Sequence, residues 1–396
     1  MNEIKYDNVL NIGLISHFFK DTNLGCTALS ICNVLIIDEV AKSIGKRVKY
    51  IILVNEKQPH IDLDFTDAEY EYRTYPSTKQ LIKHPLKFLK TKVFDGCDLV
   101  FNICAGDGFT DIYGKWRTFS ESYMVILGHW KGYKMYLAPQ TIGPFNNFFC
   151  RVLAKYMMNQ CDSIFVRDNM SYNQCVELDQ EQKTTEVIDV ALALPYEKLK
   201  HNQSYFNLGI NVSGLLYNSD ENKFGLSINY RELTHRMVEY ALNKGYKVHL
   251  IPHVIIPNEQ GEDDYHACKL VNDIFQDTII APMYDSPIDV KGYIAGLDMF
   301  IGARMHATIA AISSGVPVIP IAYSRKVNGL YSNLQYKYYI DAKDKNLTME
   351  KAMLKFIQYI NNINELRDAL NNSKSISIEE LNKYKNEIRK ILELIQ

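Results

Sequence analysis

The chain has 396 residues, 47% hydrophobic and 23% charged, which is enough for two or three packed domains and too apolar for a disordered protein. Its 44 Lys and Arg against 46 Asp and Glu leave a formal charge of −2, so no global field draws it to nucleic acid or to anionic membranes. The opening MNEIKYDNVLNIGL lacks the basic and apolar pattern of a signal peptide, and no run of 18 apolar residues follows, so a cytoplasmic location is expected.

In chain order, short apolar runs alternate with helical patterns, the mark of βαβ units on a parallel sheet. Strands are expected at Val9–Ile15, Val48–Val54, Leu99–Ile103, Met135–Ala138 and Ser163–Val166. The polar segment Glu197–Ser204 reads as a linker. A second series follows at Leu208–Val212, Val248–Ile251, Thr278–Ile280, Met299–Ile301 and Val318–Ile321. The expected fold is α/β, with two Rossmann-like domains, 1–196 and 205–345, facing across a cleft. Residues 346–396 read as two helices packing on those domains. The second is expected to start at a capping box, Ser377 with Glu380, and to carry a stripe of Leu381, Tyr384, Ile388, Ile391 and Ile395. Eight cysteines without a CxxC pair read as reduced thiols, with neither a disulfide framework nor a metal site expected.

Candidate chemistry gathers where loops follow strands, the place where open parallel sheets bind ligands. After the first strand come Asn23 and Gly25. AGDGFTD follows the third, with Gly106 and Gly108 permitting close backbone approach and Asp107 and Asp111 as acids. Gln140 and Gly143-Pro144 follow the fourth strand, and Arg167-Asp168 follow the fifth. In the second series, Ser213 and His253 end strands; His253 is equally readable as a satisfied core histidine. Arg304 and His306 lie between an apolar strand and an apolar helix. A helix start favours anions, Arg304 brings a planar charged fork, and His306 brings a proton carrier for neutral pH. Lys326 follows the next strand, and a solvated surface lysine is its plainer reading. In STKQLIKHPLKFLKTKVF, Ser77–Phe94, five lysines without an acid read either as a solvated helix face or as a peripheral contact with the inner face of a membrane.

The segments AGDGFTD, APQTIGPF, RDNMSYNQC, DVALALP, IPHVI and GLDMFIGARMHATIAAISSGVPVIPIAYSRKVNG, in this order from Asn8 to about Gly329, resemble the polysaccharide pyruvyltransferase family. The resemblance implies a GT-B-like architecture, no cofactor, and phosphoenolpyruvate as donor. It lands donor binding on Arg167, Arg304, Met305, His306 and Lys326, with His306 as proton donor to the enol methylene. Asp111 and Asp107 are expected to supply the base, and Asn23, Gly106, Gln140, Ser213 and His253 line the acceptor side. AGDG departs from the consecutive glycines of many relatives, which leaves Asp107 without a counterpart in them. The implied product is a pyruvate ketal on a sugar or lipid-linked oligosaccharide, with galactose or a similar hexose bridged 4,6 leading over a 3,4-bridged galactose or a 4,6-bridged N-acetylmannosamine. Two rivals share the fold. One is a glycosyltransferase using a nucleotide sugar, for which no ribose-gripping acid or base slot is located. The other is a non-catalytic glycan-binding protein, which would have no reason to keep Arg167, Arg304, His306 and Lys326 together.

Overall fold

A computed structural model describes residues 9–56, 58–77, 80, 83, 89–219, 224–256 and 261–395, except the side chains of 325 and 326. The chain forms two compact units. The first comprises the chain up to Phe19, residues 29–190, and the chain from 379 onward; the second comprises 20–28 and 191–378.

The first unit runs β1 (Val9–Ile15), the part of α1 (Leu24–Ser43) from Leu29 onward, β2 (Arg47–Asn55), β3 (Glu69–Tyr75), β4 (Leu99–Asn102), α2 (Lys115–Trp130), β5 (Lys134–Gln140), α3 (Phe148–Asn159), β6 (Ser163–Val166), α4 (Asn169–Glu177) and β7 (Thr184–Glu186). Its seven strands lie in the order β3-β2-β1-β4-β5-β6-β7, all parallel. The chain steps from β1 toward β3 and then returns to the other side of β1, so the switch in winding direction lies between β1 and β4. Phe94, Phe109, Met135 and Met157 anchor its core. The window of α1 with a mean hydropathy of 1.6 would suit a membrane span, but 78% of it is buried inside the protein.

The second unit runs β8 (Asn207–Asn211), α5 (Gly214–Tyr217), α6 (Tyr230–Asn243), β9 (Lys247–Leu250), α7 (Asp264–Ile274), β10 (Ile279–Ile280), α8 (Pro287–Ala295), β11 (Met299–Gly302), α9 (Met305–Ser313), β12 (Val318–Ala322), α10 (Arg325–Asn333), β13 (Ile340–Asp341) and α11 (Met349–Asn361), and contains the larger part of α12 (Ile363–Glu393). Its sheet is β10-β9-β8-β11-β12-β13, again parallel, with the switch between β8 and β11.

The two-sheet α/β fold agrees with the expectation; several details do not. β3, β7 and β13 were not expected. EYEYRTY alternates tyrosine with charge because β3 is an edge strand, where Lys49 and Arg73 pair with Glu71. The C-terminal residues do form two helices, but Ser377 lies inside α12, not at a start: its hydroxyl donates to the Ser373 carbonyl at 2.7 Å. The expected third block also divides, because the last turns of α12 pack on the first unit. There Tyr384 is buried and its hydroxyl donates to Asn33 Oδ1 at 2.7 Å, and Lys46 Nζ donates to the Leu392 carbonyl at 2.8 Å. Of the lysine-rich segment, Lys79 and Lys87 lie outside the described residues, while Lys83, Lys90 and Lys92 are exposed.

Candidate active site

In the second unit the β8–β11 switch is built around a buried carboxylate. Asp264, in the first turn of α7, is fully buried. Its oxygens accept the backbone N–H groups of Gly214 at 2.8 Å and of His253 and Val254 at 3.1 Å. Arg304 closes the shell, with Nη2 at 2.8 Å and Nε at 3.1 Å from Oδ1, while Nη2 also donates to the Glu262 carbonyl at 2.9 Å. Asn211, the last residue of β8, ties these parts together. Its Oδ1 accepts the Arg304 N–H at 2.9 Å, and its Nδ2 donates to the Ile251 carbonyl at 2.9 Å. Burial works against the Arg304 charge, and the Asp264 carboxylate more than offsets it, so the guanidinium pKa is raised. The fork expected for substrate is therefore engaged by Asp264 through Nε and Nη2. Nη1 has no hydrogen-bond partner among the described residues.

His306 stands half-buried in the first turn of α9. Gly25 packs directly against it: a Cβ at position 25 would lie 2.1 Å from His306 Nδ1. The segment around Gly25 is pinned in place. Leu24 N–H donates to the His253 carbonyl at 3.3 Å, Ile255 N–H to the Thr22 carbonyl at 2.8 Å, and Gly25 N–H to Asn23 Oδ1 at 3.0 Å. Asn23, although early in the sequence, thus belongs beside His306. His253 is buried, and burial, then the charges of His306 and Arg304, push its imidazole down to about 3, so it is neutral near pH 7. Ser213 is buried; its N–H donates to the Tyr230 hydroxyl at 3.1 Å, and its Oγ has no partner among the described residues. Met305 is half-buried beside them. Lys326 lies in α10, and its side chain is outside the described residues.

The first unit's switch, between β1 and β4, collects the other expected residues. Ser16, directly after β1, has φ of 53°, and the turn after β4 has three successive left-handed residues: Cys104, Ala105 and Gly106 at 44°, 53° and 85°. This is the stretch where glycines would sit without strain, and two of the three positions are not glycine. A Cβ on Gly106 would meet Leu29 Cδ1 at 2.3 Å. Asp107 is half-buried, with Oδ2 accepting the Tyr113 hydroxyl at 3.0 Å. Asp111 instead accepts the Asn147 N–H at 2.6 Å, a tie to the loop that starts α3. Gln140 is buried, with Nε2 donating to the Asn102 carbonyl at 3.2 Å. Arg167 is buried too; Nη1 meets Asp189 at 2.8 Å and Nε donates to Thr141 Oγ1 at 2.9 Å. Its neighbour Asp168 caps α4 through the Ser171 N–H at 2.8 Å.

Four residues have roles that the sequence reading did not give them. Glu121 is buried on α2 under Ser16, whose hydroxyl donates to Oε2 at 2.9 Å, and Arg117 holds Oε1 at 2.9 Å. The Arg117–Glu121 spacing of four on a helix was the available signal. Asp264 and Asp189, the partners of the two arginines, lie 40 and 22 residues away from them and left no local mark.

A family model described as polysaccharide pyruvyl transferase matches residues 33–325. The amylovoran biosynthesis protein AmsJ of Erwinia amylovora is 22% identical over 250 residues, covering 58% of each chain; the chain thus spans just over half the length of that relative. Among solved structures, a Listeria monocytogenes protein described as a UDP-N-acetylglucosamine 2-epimerase matches with a TM-score of 0.63 at 12% identity, over 98% of both chains. UDP-GlcNAc 2-epimerase from Neisseria meningitidis, bound to UDP-GlcNAc, matches with a TM-score of 0.59 at 12% identity, over 96% of this chain and 98% of that one. At such identities the likeness is one of fold, which is GT-B-like.

Proposed function

The chain belongs to the polysaccharide pyruvyl transferase family, and from that premise we propose that it moves the pyruvyl group of phosphoenolpyruvate onto two hydroxyls of one sugar, releasing phosphate, during assembly of a polysaccharide. The observation that carries this reading is Arg304 and His306 at the start of α9, beyond the carboxyl end of β11 at the second unit's switch in winding. The remaining Arg304 nitrogen and the positive end of the α9 dipole suit the donor's carboxylate and phosphate.

His306 gives its proton to the enol methylene, and C2 becomes an oxocarbenium centre. The first sugar hydroxyl adds there and passes its proton to a carboxylate. The C2–O bond to phosphate then breaks, and the second hydroxyl adds to complete the ketal. Of the two hydroxyl protons, one balances that gained by the methyl carbon and the other leaves with phosphate, so the sum needs no outside acid. Of the two acids expected to supply a base, Asp107 receives the Tyr113 hydroxyl at Oδ2 and Asp111 accepts a backbone amide. Arg167, engaged by Asp189 and Thr141, supports the QTIGPF loop. The acceptor favoured by the family resemblance is galactose or a similar hexose, bridged through its 4- and 6-hydroxyls.

The test is incubation in D₂O with phosphoenolpyruvate and a galactose-terminated oligosaccharide. The expected outcome is stoichiometric phosphate release with one deuterium in the product methyl group. Release of a nucleoside diphosphate from a nucleotide sugar, with phosphoenolpyruvate inert, replaces this reading with the glycosyltransferase one.

A further inference from the structure

Helices α2 and α3 of the first unit carry apolar surface where a water-facing helix would be polar. On α3, Phe148, Phe149, Val152 and Tyr156 follow one another at helical spacing, and Phe148 is 80% exposed. The opposite face of the same helix buries Cys150, Ala154, Met157 and Met158 in the core, so α3 is apolar on both sides. The two helices present one continuous surface. At one end, Asp111 Oδ2 accepts the Asn147 N–H at 2.6 Å, bringing exposed Ile112 and Tyr113 to the start of α3. At the other, the Trp130 indole donates to the Tyr156 hydroxyl at 3.1 Å, and Trp130 is 62% exposed. Trp116, also exposed, lies on α2 beside the first end. Contiguous exposed apolar surface on this scale marks an interaction site.

Its charge is one-sided. From Ile112 to Asn159 the sequence holds six Lys and Arg and a single carboxylate, Glu121, which is buried. Arg117 is paired with Glu121, while Arg151 and Lys155 are paired with Glu177 and Asp179 beyond the patch. That leaves Lys115 next to Trp116, Lys131 next to Trp130, and Lys134, none with an acidic partner among the described residues. Tryptophan, tyrosine and phenylalanine flanked by such lysines fit the boundary between acyl chains and anionic headgroups. A self-interface would instead set these like charges against one another.

We propose that the α2–α3 face is a membrane-docking surface that inserts its aromatic side chains into the headgroup layer of an anionic phospholipid bilayer. The patch leads to the candidate site through Tyr113, whose hydroxyl donates to Asp107. Docking therefore presents the AGDGFTD turn to the bilayer surface, where an acceptor carried on a lipid would lie; only this last clause rests on the proposed pyruvyl transfer.

The chain has just two tryptophans, and both are on this face, so insertion is readable without a label or any activity. The full chain is mixed with vesicles of phosphatidylcholine containing one-third phosphatidylglycerol. The expected result is a blue shift of tryptophan emission, quenching by brominated acyl chains, and co-sedimentation. In F148S/F149S and in V152D, which alter exposed side chains, vesicle partitioning should fall at least tenfold with an unchanged circular dichroism spectrum and melting temperature. Wild type left in the supernatant overturns the proposal, and so does equal partitioning by either folded variant. A wild-type dimer that the variants dissolve, with no vesicle uptake, assigns the face to self-association instead. None of these outcomes depends on phosphoenolpyruvate being the donor.

Discussion

At the end of β8, Asn211 holds the turn after β11 through the Arg304 N–H; at the end of β4, Asn102 holds its own following turn through the Cys104 N–H at 2.8 Å. Both switch points also contain a buried carboxylate paired with an arginine, but the two are stabilised differently. Asp264 accepts backbone N–H groups from three positions as well as Arg304. Glu121 has a hydroxyl and an arginine that is itself partly exposed. The second unit therefore fixes its charges through the main chain and carries a relaxed helix start. The first keeps a lighter polar shell under a backbone with four left-handed residues, three of them not glycine. A frame that must hold an anion benefits from the former, and a turn whose shape is itself specified tolerates the latter.

The largest test of this contrast is on turnover. His306→Gln should bind phosphoenolpyruvate but react on the order of 10²–10⁴ times more slowly, the range for losing a positioned acid. Gly25→Ala should approach the same loss while leaving the imidazole in place chemically, because the added Cβ would occupy the ring's position. Steady-state kinetics with separate donor-binding calorimetry checks both. A Gly25→Ala enzyme with wild-type turnover would detach the segment from the chemistry.

Stability comes next. Asp264→Ala strands a buried guanidinium and three amide donors and should cost about 3–5 kcal/mol in urea unfolding, the range for breaking a buried pair. Glu121→Gln keeps the shape and an acceptor and should cost less, ~1–3 kcal/mol. Equal losses would erase the distinction between the two shells. Arg304→Lys should likewise show lost stability alongside weakened donor binding, since two of its nitrogens serve Asp264.

Each unit also buries a neutral histidine near its switch, and both should make the protein acid-sensitive. In the first unit, burial lowers His17 to about 4, against a smaller opposing effect of the Ile15 carbonyl; its Nδ1 donates to that carbonyl at 2.9 Å and its Nε2 accepts from Asn33 at 3.0 Å. In the second, His253 lies at about 3. A depressed folded pKa means that the unfolded chain binds protons first, so the contribution is complete above about pH 6.5 and is lost as pH falls toward the folded values. Between pH 7 and 5 each histidine should remove ~2 kcal/mol, at about 1.4 kcal/mol per unit. Urea midpoints against pH for His17→Gln and His253→Gln should each show a shallower slope than wild type. An unchanged slope in either would show that its histidine titrates as in the unfolded chain.

What the sequence made legible follows the range of the interactions. β1 and β6 were readable to the residue, because both are short, mostly buried segments rich in apolar residues, and the strand–turn–helix around Arg304 gave away the site's address. Side-chain partners were not readable. Whether Arg304 faces substrate or Asp264 is decided by a contact 40 residues distant, and His253 looked alike as ligand or core residue until its burial was known. The Ser377–Glu380 pattern failed for a local reason: a serine followed three residues later by a glutamate also occurs inside helices, where the hydroxyl bonds back to a carbonyl. Glu121 left one signal, its spacing of four from Arg117 on a helix, but its burial beneath Ser16 was not readable.

The smallest effect probes the strained turn itself. Ala105 has φ of 53° and ψ of 24°, close to the left-handed helical well, which costs a residue with a Cβ roughly 1 kcal/mol relative to glycine. Ala105→Gly should relieve that cost and lose part of the gain to the greater freedom of glycine in the unfolded chain. A small net stabilisation of up to about 0.5 kcal/mol is expected, read from urea unfolding. The control is Ala310→Gly within the regular helix α9, which should destabilise by about 1 kcal/mol. If both substitutions destabilise, the turn after β4 carries no strain, and the contrast between the switch points reduces to their carboxylate shells. If Ala105→Gly stabilises the fold but lowers kcat with KM unchanged, the left-handed turn is held for the chemistry, and the side chain at 105 is what keeps Asp107 in position.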